Sequence, residues 1–145
     1  MSGARARGSC LCGAVRYEVH GPLRDVIVCH CRECRRWHGH ACSASASAKD
    51  DLVIRDSEGV LRWIDSPKSD AHGRRGFCSR CGSSLFWDAP GRPTTAIAAG
   101  TLDEPTGLRT ISHIYTATKG DYYELPDDGL PRFAYSGNEK PDAAH

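Results

Sequence analysis

Most of the chemistry open to this chain belongs to its eight cysteines. Seven of them fall into three close-set groups: Cys10 with Cys12, then Cys29 with Cys31 and Cys34, then Cys78 with Cys81. Thiolates at such spacing are soft metal ligands, and they suit zinc far better than the oxygen-seeking magnesium or calcium. In the first and third groups a glycine follows the second cysteine, Gly13 and Gly82. A metal knuckle needs a sharp turn that aims backbone N–H groups at sulfur, and glycine reaches the positive φ such a turn requires. Two glycine-terminated knuckles make a four-sulfur tetrahedral set from Cys10, Cys12, Cys78 and Cys81, the pattern of structural zinc.

The middle group lacks that glycine and offers three sulfurs in six residues. Three protein ligands leave one tetrahedral position open, which is the pattern of a catalytic zinc. Cys29, Cys31 and Cys34 are therefore assigned to a second, reactive site, giving two zinc ions per chain. The alternative is a closed second structural site with His30, His38, His40 or Cys42 as fourth ligand. Iron–sulfur ligation fits less well, because clusters take four protein ligands. Cys42 stands apart in a run of small residues and reads as a small core residue.

Other side chains near these groups can serve a substrate. Arg35 and Arg36 follow Cys34 directly, and guanidinium groups clasp carboxylates, so they are candidates for docking an anionic thiol. Arg74 and Arg75, just before Cys78, are weaker candidates of the same kind. His38 and His40 flank Gly39 and titrate in the range of a general acid or base. His30, between two ligands, is expected to point away from the metal, and His113 to play a structural part. Trp37 and Trp63 either wall a pocket or fill a core.

Short β elements must position these groups. Gly13–His20 alternates Val15, Tyr17 and Val19 with polar residues, as a half-buried strand does. Val26–Cys29 is a second short apolar run, further strands are expected over Ala41–Ala48, Val60–Ile64, Thr95–Ala99 and Ile111–Tyr115, and Arg74–Phe77 leads into Cys78, with Leu85–Trp87 following Cys81. Ser66-Pro67 stops the strand over Val60–Ile64. Cys78–Trp87 reads as a tight hairpin. Arg32–His38 is expected to form one or two helical turns ending at Gly39. Pro126 and Pro131 forbid a long helix over Tyr122–Phe133.

Composition narrows the function classes. Leu, Ile, Val and Phe number 24 of 145 residues, a low apolar share, yet the net charge is only +1, so disorder is not expected. Metal ligation would offset so thin a core. Nineteen Lys and Arg against eighteen Asp and Glu leave no basic footprint for nucleic acid. No apolar run is long enough to span a membrane. Met1 to Gly8 lacks the apolar stretch of a secretory signal, which points to the reducing cytoplasm, where disulfides are rare. The expected organisation is a leader over 1–7, one zinc-binding domain over 8–135 and a flexible polar tail over 136–145.

Three segments together carry a family resemblance. Gly8-Ser9-Cys10-Leu11-Cys12-Gly13-Ala14-Val15-Arg16-Tyr17, Cys29-His30-Cys31-Arg32-Glu33-Cys34-Arg35-Arg36-Trp37-His38-Gly39 and Phe77-Cys78-Ser79-Arg80-Cys81-Gly82-Ser83-Ser84-Leu85 resemble the motifs of the glutathione-dependent formaldehyde-activating enzyme family, also called the centromere protein V domain family. His113-Ile114-Tyr115 and Leu130-Pro131-Arg132-Phe133 resemble later family segments. The resemblance implies a mainly β architecture, a β-tent fold of antiparallel sheets with zinc knuckles and little helix. It implies the same partition of cysteines: Cys10, Cys12, Cys78 and Cys81 on structural zinc, and Cys29, Cys31 and Cys34 on catalytic zinc. It also implies a carbon–sulfur lyase whose reaction joins formaldehyde and glutathione as S-hydroxymethylglutathione, with a small thiol such as glutathione as partner.

Overall fold

The computed structural model describes residues 3–66, 72–138 and 141. Pro67, most of the expected tail and the start of the leader lie outside the described residues. The protein is mainly β, as its sequence implies, and it divides into two compact units. The first holds residues up to Arg24 together with Ser45–Leu108, and the second holds Asp25–Ala44 and the residues from Arg109 onward.

Two antiparallel groups of strands build the first unit. β1 (Ala6–Ser9) pairs with β2 (Arg16–Val19), and β2 pairs with Leu52–Arg55. The second group is a meander of Leu61–Asp65, Arg74–Cys78, Ser84–Asp88 and Thr94–Ala98. In chain order β3 is Arg24–Cys29 and β4 is Cys42–Ala48, so these five later strands are β5 to β9. β4 begins in the second unit and ends in the first.

Alternation in β2 does what its sequence implies. Val15, Tyr17 and Val19 are at most 1 % exposed, while Arg16 faces solvent. They pack with Leu85, Phe86, Ile97, Leu102, Cys10 and Cys78 in one apolar cluster. The Tyr17 ring meets Phe86 edge-on at 5.2 Å, and its hydroxyl reaches Thr101 Oγ1 at 2.7 Å. Each large apolar side chain here contributes about 1.5–3 kcal/mol by leaving water. Two of the nine cluster members are cysteines of the knuckle set, so core and candidate metal site share residues.

β1 lies partly inside the segment expected to be a leader. Its residues are short or polar and carry no apolar alternation, so nothing local marks a strand. What holds it is long-range: β1 lies against β2, with Arg5 N–H on the Val19 carbonyl at 2.8 Å. Gly8 sits opposite Tyr17, and a Cβ there would run into the Tyr17 ring and the Thr101 carbonyl. Gly8→Ala is therefore expected to cost about 1–3 kcal/mol by overpacking, read as a lower urea midpoint with an unchanged slope.

The second unit is built on β3, one short helix and β10 (Thr110–Ile114). The helix, α1 (Arg32–His38), ends at Gly39 with φ 79°, as the sequence implies. β10 pairs with β3 in parallel, placing His113 opposite Val28 and Ile114 opposite Cys29. This pair departs from an all-antiparallel arrangement. Strands some eighty residues apart in the chain carry no turn that would fix their direction. Among the described residues no helix is long and apolar enough to cross a membrane.

Candidate functional site

The four knuckle cysteines converge within the first unit. Two similar turns deliver them. Gly13 N–H bonds the Cys10 carbonyl at 3.2 Å with φ +81°, and Gly82 N–H bonds the Cys78 carbonyl at 2.7 Å with φ +82°. The glycines thus stand in the left-handed conformation their placement implies. Val15 N–H points at Cys10 Sγ from 3.3 Å. Ser83 ties the two turns together: its hydroxyl accepts from Leu11 N–H at 2.9 Å and lies 3.1 Å from Cys81 Sγ. Sequence reasoning passed over Ser83, whose only mark is that it follows the knuckle glycine.

The sulfur geometry suits a tetrahedral ion. All four Sγ atoms lie within 4.8 Å of one another, with Cys10 to Cys12 at 3.6 Å and Cys12 to Cys78 at 3.8 Å. Zinc–sulfur bonds of about 2.3 Å place tetrahedral sulfurs about 3.8 Å apart. The thiols also compete for negative charge. For Cys12 the Ala14 N–H favours the thiolate, but burial and the neighbouring sulfurs of Cys10, Cys78 and Cys81 prevail and push it up to about 11. Burial opposes the Cys81 thiolate, yet Ser83 bonding and neighbouring donors bring it down to about 5. A divalent cation relieves this competition, and the donor set fits zinc.

The second set lies in the second unit. Cys29 ends β3, Cys31 caps α1 and Cys34 lies in its first turn, with Cys34 N–H donating to Cys31 Sγ at 3.3 Å. The three sulfurs lie within 4.8 Å of one another, and all three residues are part-buried. Cys31 and Cys34 raise the Cys29 thiol well above its ordinary value, burial adding to their effect. Three crowded sulfurs with no fourth Cys, His, Asp or Glu in the group, among the described residues, fit zinc with a position to spare.

The alternative closures find no support among the histidines with known partners. His30 is 3 % exposed, and both ring nitrogens are engaged, Nδ1 with the Tyr123 hydroxyl at 2.7 Å and Nε2 with His113 Nδ1 at 3.0 Å. Burial first, then His113, His40 and Lys119, depress its pKa to about 4, so the ring is neutral at pH 7. His40 Nδ1 meets the Tyr122 hydroxyl at 2.6 Å. His38 and Cys42 are not members of the sulfur cluster.

The arginine candidates divide. Arg35 is half-buried, its Nε bonded to the Thr118 carbonyl at 3.1 Å, and Arg36 is exposed beside it on α1. Arg74 and Arg75 lie in the first unit and serve its packing. Arg74 pairs with Asp88 at 2.7 Å and covers the Trp63 ring at 4.0 Å, while Arg75 is buried with Nε on Ser66 at 3.4 Å. Trp63 stacks on Phe86, so it belongs to the core rather than to a pocket wall.

A family model for glutathione-dependent formaldehyde-activating enzyme matches residues 5–118, which include all seven clustered cysteines. The chain belongs to this family. A Halomonas elongata protein named "Putative glutathione-dependent formaldehyde-activating enzyme" is 39% identical over 128 residues, covering 81% of this chain and 79% of that protein. A Schizosaccharomyces pombe protein named "Uncharacterized lyase" is 28% identical over 83 residues, 55% of each chain. A crystal structure of a Rhodobacter sphaeroides protein shares the fold, with a TM-score of 0.56 and 23% identity, over 72% of this chain and 97% of that one. For this member of the glutathione-dependent formaldehyde-activating enzyme family, the matched span ends just before Tyr123 and Asp128, two residues engaged with the buried histidines of the second unit. Neither carries a motif, and only the structure brings them there.

Proposed function

We propose that the protein is a zinc-dependent carbon–sulfur lyase that forms and breaks a thiol–aldehyde adduct, S-hydroxymethylglutathione. The observation that carries the reading is the three-sulfur cluster of Cys29, Cys31 and Cys34, in addition to a complete four-sulfur set, in a chain of this family. Cys10, Cys12, Cys78 and Cys81 hold a structural zinc, and Cys29, Cys31 and Cys34 hold the catalytic one. The zinc-binding region runs over 8–135, and the protein works in the cytoplasm.

When bound, zinc with one free position supplies a soft Lewis acid suited to a substrate sulfur. The chain's own residues prepare that position. The Cys34 N–H fixes the Cys31 sulfur. Three thiolates make the site electron-rich, which favours exchange of a soft thiol over activation of water. Arg36 docks a glutathione carboxylate, and the Thr118 carbonyl orients Arg35 beside it. In the breakdown direction the carbon–sulfur bond breaks with its electron pair on sulfur, the hydroxyl proton leaves to a base, and formaldehyde forms.

Exchange NMR with formaldehyde and glutathione tests the substrate. Interconversion of free glutathione and its adduct is expected to be faster than in buffer, with the gain lost in Cys31→Ser. An unchanged exchange rate at full zinc loading would overturn the substrate assignment. Arg36→Ala is expected to raise KM for glutathione about tenfold with little change in kcat, since it removes binding rather than chemistry.

A further inference from the structure

The family match stops at residue 118, yet the chain beyond it reaches the ring of His30, the residue between Cys29 and Cys31. Register shows how. In extended chain, alternate side chains take opposite faces. Val28 and His30 therefore share one face, and Cys29 and Cys31 share the other. His113 is opposite Val28 and so joins His30 on the face away from the sulfurs.

There the two buried rings form the middle of a chain of hydrogen bonds that runs out to part-exposed ends. Asp128 Oδ2 lies 2.8 Å from His113 Nε2, His113 Nδ1 lies 3.0 Å from His30 Nε2, and His30 Nδ1 lies 2.7 Å from the Tyr123 hydroxyl. Both imidazoles are only 3 % exposed. An ionised Asp128 only accepts, so His113 Nε2 donates to it. In neutral rings the order then runs one way: His30 donates to His113, and Tyr123 donates to His30. Leu130 N–H holds the other Asp128 oxygen at 3.0 Å.

The segment carrying Tyr123 and Asp128 is itself anchored. His113 N–H bonds the Pro131 carbonyl, Phe133 N–H bonds the His113 carbonyl, and Thr116 N–H bonds the Phe133 carbonyl, at 2.9–3.1 Å. Lys119 Nζ adds a bond to the Tyr123 carbonyl at 2.8 Å. At Gly120 a Cβ would collide with the Tyr122 and Tyr123 rings, so the absent side chain lets them close over the turn.

We propose that residues 122–135 form a strap that positions the Cys29–Cys31 peptide for metal through the chain Asp128–His113–His30–Tyr123. The strap fixes the His30 ring; the ring, together with the bond from His30 N–H to the Ile114 carbonyl at 3.0 Å, holds residue 30, and its backbone sets the separation of the two sulfurs flanking it. His30, His113, Tyr123 and Asp128 are positioning residues and touch neither substrate nor metal. The inference rests on the reading of Cys29, Cys31 and Cys34 as metal ligands, and it is independent of which substrate is used.

Outer partners of metal ligands typically change metal affinity by about 10–100-fold. The test is a chelator titration of the zinc-loaded full chain, with the knuckle zinc as internal control. Tyr123→Phe and Asp128→Leu are expected to release one of two zinc ions at about tenfold lower chelator concentration, with the other unmoved. Asp128→Asn keeps the acceptor toward His113 and gives up the one toward Leu130, so it is expected to restore retention well above that of Asp128→Leu. In the cobalt-loaded chain, Tyr123→Phe is expected to shift the sulfur-to-cobalt and d–d absorption bands. Unchanged release curves in both Tyr123→Phe and Asp128→Leu would overturn the proposal, as would equal loss of both metals or failure of Asp128→Asn to restore retention. These curves are read without substrate, so an inactive enzyme that behaves as expected here overturns the substrate reading alone.

Discussion

Cys31→Ser is expected to lower the zinc content from two ions per chain to one and to reduce adduct formation at least about 100-fold, while thermal unfolding stays cooperative. The size of the loss follows from ligand count. Changing a group that merely supports a ligand costs about 10–100-fold, and Cys31 is proposed as a ligand itself. Only two protein sulfurs would remain, and a serine hydroxyl is a poor substitute for a thiolate toward zinc. The fold should survive for a local reason. Cys31 caps α1, accepting the Cys34 N–H. Serine is among the strongest helix N-caps, so the exchange keeps the start of α1 and removes the soft ligand alone. Metal analysis and a melting curve on the same preparation check both halves. A zinc content unchanged at two, or a chain with one zinc and full activity, would sink the second-site assignment.

What the sequence made legible has a common physical basis. α1 was readable because its stop, Gly39, is a local requirement for positive φ. The grouping of the cysteines was readable because ligand spacing and the following glycines are local too, and the Gly13 and Gly82 turns take the expected form. β2 was readable from the alternation of Val15, Tyr17 and Val19. What stayed hidden depends on contacts between distant residues. β1 is polar and owes its existence to β2 and to the room Gly8 leaves for Tyr17. The parallel pairing of β10 with β3 joins segments with no turn between them. The partners of His30, at Tyr123 and His113, lie 93 and 83 residues away, and nothing in their spacing announces a chain of hydrogen bonds. Arg74 and Arg75 misled for the opposite reason, because a basic pair beside a ligand looks like a docking site until Asp88, Trp63 and Ser66 are seen around it.

The knuckle set should respond quite differently to the same type of exchange. Cys78→Ser is expected to leave the first unit unfolded or aggregated at 25 °C, and strong chelators are expected to do the same to the unmodified protein. Cys78 is fully buried at the end of β7 and belongs to the apolar cluster along with Cys10. The change therefore removes a ligand and places a hydroxyl where the core holds sulfur. Structural zinc contributes about 10–16 kcal/mol in small zinc-dependent folds, whereas whole domains are stable by only about 5–15 kcal/mol. A core of nine residues, two of them ligands, does not make up that loss. Trp63 and Trp87 both belong to the first unit, so their fluorescence reports its unfolding. A Cys78→Ser protein that melts like the parent would show that burial suffices without this metal. If instead Cys78→Ser loses the fold while Cys31→Ser loses only one zinc and the activity, the two sets are separated by role. That separation follows from burial: Cys10 and Cys78, two of the four proposed structural ligands, are part of the core, whereas Cys29, Cys31 and Cys34 lie only part-buried at the junction of a strand and a short helix.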